Sequence, residues 1–239
     1  MSDSSEYHHL ELEIALNPAD QRHILPPVRP DQLRILDIGC GMGQTLRALR
    51  LGMSAEGWGI DVDFEAIALG NRLAAENIHL LVGAGETLPF PNGYFDLVFS
   101  RVALPYMVLP TAFSEIARVL RTGGEVWCVL HPPRMLLDRC REKFWKLDLP
   151  GLAYCVFIAL NSLLLYALGR QMRVMGLCET VQTPGRVWRL MTAVGLRSIP
   201  VDRSPFMVVR AIKMQGSPGP APGRTTSTGD EHRPGDPCG

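Results

Sequence analysis

Apolar positions along this chain fall into two alternating rhythms. Short, largely apolar runs at 34–38, 56–61, 79–82, 95–100 and 125–130 have the length and composition of buried strands. Between them apolar residues recur every three or four positions, which predicts helices over 43–50, 64–77 and 111–120. The second has its apolar residues at 64, 67, 68, 69, 73 and 74, and the third at 112, 113, 116, 117, 119 and 120. Gly52 stops the first helix, and Gly123-Gly124 is expected to end the third. Strand and helix alternate throughout, so the expected fold is α/β, with a parallel sheet covered on both faces.

The rhythm breaks at 132–183, where a basic helical stretch is followed by a long apolar one. It resumes with a helix over 185–194, a strand near 196–201 and a last strand over 206–212. Residues 1–30 form a polar lead-in with a short helical pattern at 10–16. The tail over 214–239, rich in Pro, Gly, Ser and Thr, is expected to be disordered. The expected organisation is a lead-in or lid at 1–30, one domain at 31–131 and 184–213, a helical insertion at 132–183, and the tail.

Composition narrows the classes. At 239 residues and 46% apolar, the chain suits one domain with a substantial core. Lys+Arg and Asp+Glu are 24 each, which argues against a nucleic-acid partner. None of the six cysteines forms a C-x-x-C pair, so no metal site is expected, and Cys40 and Cys128 read as small core residues. The N-terminal residues are polar and carry no apolar signal region, which points to a cytoplasmic, reducing location.

The chemistry concentrates at Ile35-Leu-Asp-Ile-Gly-Cys-Gly-Met-Gly43. A buried strand runs here into a turn that opens a helix, with glycines at 39, 41 and 43. Glycine lets a ligand approach the backbone closely. The phosphate-binding spacing G-x-G-x-x-G is absent because position 44 is Gln, and Asp37 precedes the glycines on the strand itself. Asp61 ends the next strand, where a carboxylate can accept from both ribose hydroxyls of a nucleoside. Asp63 is the better candidate to cap the following helix.

The Asp-x-Gly-x-Gly-x-Gly form resembles motif I of class I S-adenosylmethionine (SAM)-dependent methyltransferases. The segment from Gly83 to Val98 and the run from Glu115 to Gly124 resemble, in the same order, the small-molecule group that includes ubiquinone and menaquinone methylases. The resemblance covers about 30–131 and 184–213. It implies a Rossmann-like seven-stranded sheet with an antiparallel last strand, SAM as cofactor and methyl transfer as the reaction. It places the cofactor on Asp37, Gly39, Cys40, Gly41, Gly43, Asp61, Val62, Ala84, Gly85, Glu86 and Ser100, with apolar packing from Leu88. The acid that usually holds the adenine amino group is replaced by Ala84, which leaves that contact to the backbone around Gly85 and Glu86.

Arg101, Tyr106 and His131 are the acceptor-side candidates, and His131, ending a strand, is the candidate general base. Tyr7, His8 and His9 are candidates to fold over the cofactor. Residues 151–169 carry no charge. Three readings stay open for them: an acceptor lid, a dimer or packing helix, and contact with a membrane surface through the basic flanks. The expected activity is methyl transfer to a small, rather apolar acceptor. The alternatives are a non-catalytic SAM-binding protein and a membrane-associated lipid or quinone methyltransferase.

Overall fold

The computed structural model describes residues 3–73, 75–131, 133–201 and 206–215, so almost all of the expected disordered tail lies outside the described residues. In chain order the elements are α1 (Asp3–Leu16), β1 (Arg34–Ile38), α2 (Gln44–Ala48), β2 (Glu56–Asp61), α3 (Phe64–Arg72), β3 (Ile78–Val82), β4 (Phe95–Arg101), a 3-10 turn (Leu104–Tyr106), α4 (Leu109–Val119), β5 (Leu120–Leu130), α5 (Arg134–Trp145), α6 (Leu149–Leu168), α7 (Pro184–Ala193), β6 (Leu196–Ser198) and β7 (Met207–Lys213). The strands form one seven-stranded sheet in the order β3-β2-β1-β4-β5-β7-β6. The pairings among β1 to β5 are parallel, and β7 runs antiparallel to both β5 and β6.

The alternation of side chains along each strand explains why helices cover both faces. Leu36, Ile38, Val98 and Val126 enter one core with residues of α4 and α7. Their strand neighbours Ile35, Leu97, Phe99 and Trp127 enter a second core with Leu46 of α2 and Ile67 of α3. Asp63 caps α3 by accepting from the Ala66 N–H at 3.0 Å, as its position implies.

Two helix ends differ from the periodic pattern. The helix expected over 64–77 stops at Arg72, and the Leu73 N–H closes its last turn on the Gly70 carbonyl before the chain enters β3 at Ile78. The helix expected over 111–120 runs from Leu109 to Val119, but Gly123-Gly124 do not form its stop. Leu120 turns extended, is fully buried and pairs with Phe95, so both glycines fall within the irregular start of β5. Gly123 has φ +76°, a conformation that suits glycine there.

The sheet reverses its winding between β1 and β4, and in open α/β sheets ligands bind at the carboxyl ends of strands at such a switch point.

Candidate active site

A cavity of about 400 Å³ opens at that switch point. Its floor is the glycine turn after β1, with Gly39, Cys40 and Gly41, followed by Gln44 and Thr45 of α2. One wall comes from the end of β2, with Ile60, Asp61 and Val62, and another from Gly83, Ala84, Gly85 and Glu86 after β3. Arg101, Val102, Ala103, Tyr106 and Met107, after β4, form the opposite side. Tyr7, His8 and Glu11 of α1 cover it, so Tyr7 and His8 reach the cavity while His9 does not line it.

The turn is held from below. The Gly39 N–H donates to the Ile60 carbonyl at 2.8 Å, and the Gly41 N–H donates to Asp61 Oδ2 at 2.7 Å. The Asp63 N–H donates to Asp61 Oδ1 at 3.0 Å. Each Asp61 oxygen therefore makes one bond to the fold and keeps acceptor capacity toward the cavity.

Three buried polar atoms around this turn have no hydrogen-bond partner among the described residues: His8 Nδ1, Asp37 Oδ1 and Gln44 Oε1. Burial first, then the Asp61 carboxylate, pushes the Asp37 carboxyl well above its usual range, against a lowering by Arg101. A buried acceptor left unsatisfied is costly, and such exceptions point to a missing partner. Two orphaned acceptors beside backbone glycines fit a cationic ammonium group.

The remaining candidates divide. Gly43 does not line the cavity; it has φ +78° at the start of α2, and a Cβ there would stand 3.1 Å from the Leu80 side chain. Its role is to let α2 leave the turn and pack on β3. Ser100 is fully buried and its hydroxyl donates to the Ile38 carbonyl at 2.8 Å, which ties β4 to β1 and keeps it out of the cavity. Leu88 is in the core and not on the cavity. Glu86 does line it, but its carboxylate accepts from the Val108 N–H and from Arg173.

His131 lies outside this cavity. It borders a neighbouring groove of about 1030 Å³ with Val129, Leu130, Met135, Phe206 and Met207. The groove and the cavity share Tyr7, Glu11, Arg101 and Val102, and Arg101 is ion-paired with Glu11 at 2.5 Å along that wall. The His131 ring meets Tyr106 edge-on at 6.0 Å. Burial lowers its pKa, with Arg139 adding to the effect and Glu179 opposing it, so the imidazole is neutral near pH 7. Tyr106 and Tyr7 are pushed above their usual range, chiefly by burial, and stay protonated there.

Sequence patterns did not indicate Glu11, Gln44, Thr45, Met107, Arg173 or Gly176 as cavity residues. Arg173 and Gly176 belong to the stretch after α6, which is bound to the cavity rim. Gln171 accepts from the Leu109 N–H at 2.6 Å and donates to the Met107 carbonyl at 3.0 Å, and Cys178 Sγ donates to the Tyr106 carbonyl at 2.9 Å. The insertion thus completes the site, and no motif marks the residues that do so.

Comparison with known proteins agrees with this geometry. Residues 36–128 match the family model described as "Methyltransferase domain". A probable chloroplastic tocopherol O-methyltransferase of Oryza sativa subsp. japonica is 36% identical over 104 residues, covering 39% of this chain and 29% of that protein. A ubiquinone/menaquinone biosynthesis C-methyltransferase of Laribacter hongkongensis is 35% identical over 119 residues, covering 44% of this chain and 48% of that protein. The chain thus matches about half or less of the length of these relatives. A SAM-dependent methyltransferase structure from Methanosarcina mazei has the same fold, with a TM-score of 0.54 at 18% identity, covering 78% of this chain and 94% of that one. Residues 36–128 thus match a methyltransferase domain, and the chain is similar over this stretch to ubiquinone/menaquinone methyltransferases and shares the fold of a SAM-dependent methyltransferase.

Proposed function

We propose that this protein transfers the methyl group of SAM to a small, rather apolar acceptor. The observation that carries the reading is the pair of orphaned acceptors at the glycine turn: Gln44 Oε1 on a residue that lines the cavity, and Asp37 Oδ1 on a buried residue that precedes the turn and does not itself line it. Both suit the ammonium of a methionine end, and neither suits a phosphate. Asp61, at the cavity, would hold the ribose, and the backbone of Ala84 and Gly85 would border the adenine, where an acidic side chain is lacking. When bound, SAM supplies an electrophilic methyl group on a sulfonium, open to in-line displacement.

The protein's own contribution is positioning and exclusion of water. Alignment of the reacting atoms supplies much of the acceleration in such a displacement. Tyr7, Tyr106 and the Glu11–Arg101 pair close the acceptor side of the cavity. The groove beyond them, lined by Val129, Leu130, Met135, Phe206 and Met207, would take an apolar acceptor, and its neutral His131 can accept a proton from one. The relatives named for tocopherol and for ubiquinone or menaquinone support an acceptor of that kind, an aromatic or quinol ring carrying an apolar tail.

Isothermal titration with SAM tests the cofactor, and binding in the sub-millimolar range is expected; its absence overturns the reading. Transfer of label from radiolabelled SAM into the apolar fraction of a cell extract tests the acceptor class. Label recovered only in water-soluble material would replace the apolar acceptor with a polar one.

A further inference from the structure

The insertion presents a face that the cavity does not use. Helix α6 is long and apolar enough to cross a membrane, with mean hydropathy 1.9, yet only 28% of its apolar window is buried. Its hydrogen-bonding side chains all turn toward the protein. Asn161 holds Met172 and the Cys178 carbonyl, Ser162 accepts from the Val181 N–H, Tyr154 donates to Glu179 and Tyr166 donates to Thr183. The outward face is then Leu149, Ala153, Val156, Leu160, Leu163 and Ala167, with no polar group on it. A surface helix of a water-soluble protein carries its polar residues on the opposite side, toward solvent. The α5–α6 turn extends the face with Phe144, Trp145 and Leu147, the last two 73% and 80% exposed. Contiguous exposed apolar surface of this kind marks an interaction site.

Charge selects the occupant. Residues 134–173 carry seven basic and three acidic side chains, in a chain whose totals balance at 24 each. Lys143 pairs with Asp148, Lys146 with Glu142, Arg139 with Glu179 and Arg173 with Glu86, which leaves the exposed Arg134, Arg141 and Arg170 outside the ion pairs of the described residues, with Arg141 on the same helix as Trp145. A second copy would bring these basic flanks together. An anionic lipid surface complements them, and Trp beside Lys and Arg suits the headgroup region.

We infer that the outer face of α6 and the α5–α6 turn dock onto an anionic membrane, with the helix lying in the interface instead of spanning it. Arg173 and Gly176, which line the cavity, follow directly from the end of α6, so docking sets the mouth of the cavity near the bilayer. That consequence rests on the reading of an apolar acceptor, which would be drawn from the lipid phase; the docking itself does not.

Co-sedimentation of the full chain with vesicles of phosphatidylcholine mixed with phosphatidylglycerol tests this, beside vesicles of phosphatidylcholine alone. Binding is expected to the mixed vesicles, weakened by salt and by the neutral composition. The double variant Leu160→Glu/Leu163→Glu should lose more than ~10-fold of it, because two leucines no longer enter an apolar phase. SAM titration of the same variant reports folding, since neither residue lines the cavity. Failure of the folded wild-type protein to bind mixed vesicles overturns the inference, as does equal binding to both compositions. So does self-association by sedimentation velocity that the double variant abolishes while vesicle binding is unaffected. Vesicle binding without SAM binding would overturn the proposed activity and leave the docking standing.

Discussion

At Gly39 the backbone has φ +78°, and a Cβ there would stand 2.1 Å from the Cβ of Ala103. Gly39→Ala should therefore cost about 2–4 kcal/mol, the sum of left-handed strain and overpacking, read as a lower urea midpoint. At Asp37 the prediction concerns pH. Its pKa in the free protein is raised above the ordinary 3.8 by burial, so protonation is favoured there. A bound ammonium favours the carboxylate. SAM affinity should fall as pH drops through the raised pKa, and the fall should vanish in Asp37→Asn, which binds SAM more than ~10-fold more weakly at neutral pH. Titration calorimetry across pH checks both. These residues were legible in the sequence because the signal is local: glycines at alternate positions after a strand, with an acid on the strand. Gly43 carries the same local signal and Ser100 ends a neighbouring strand, but neither lines the cavity, since Leu80 packs beside Gly43 and the Ile38 carbonyl accepts from Ser100.

Among the elements, α4 and the loop before β4 depend on one cluster. Glu115 accepts from the Leu88 N–H at 2.8 Å, and Arg118 donates to Glu115 and to the carbonyls of Leu88 and Phe90. Burial raises the Glu115 pKa, but the bonds from Arg118 and Leu88 outweigh it and hold it below the ordinary 4.5. A depressed carboxylate stabilises the fold above its unfolded pKa, and this is lost as pH falls below 4.5 through the lowered value. Arg118→Ala should cost about 2 kcal/mol at neutral pH and flatten that part of the acid unfolding curve. The pattern from Glu115 to Gly124 marked this helix correctly. The next strand starts earlier than the expected residue 125, because Leu120 is drawn into the core and pairs with Phe95, a contact that helical periodicity does not contain. Helix α1 shows the same limit. Its sequence indicated a short helix, while its position over the cavity rests on the Glu11–Arg101 pair, ninety residues apart.

For the whole molecule, a ligand that binds only the folded state raises its stability by mass action. SAM at about 100 times its dissociation constant should add about 2.7 kcal/mol, or roughly 5–11 °C in thermal midpoint for a domain of this size. Asp61→Ala should remove most of that shift, since it withdraws the ribose acceptor and frees the Gly41 N–H together. Differential scanning fluorimetry with and without SAM reads both. The sequence by itself determined the alternation of strands and helices along the chain and the glycine turn with Asp37 before it and Asp61 after it, and its motifs implied SAM, because period, φ preference and motif spacing are properties of near neighbours. Only the tertiary structure decided that His131 faces a separate groove, that Gln44 and His8 present orphaned atoms beside Gly41, that Arg173 and Gly176 complete the rim, and that α6 turns its polar side chains inward. Each depends on which distant segment packs against which face, and that is settled by long-range burial and hydrogen-bond satisfaction.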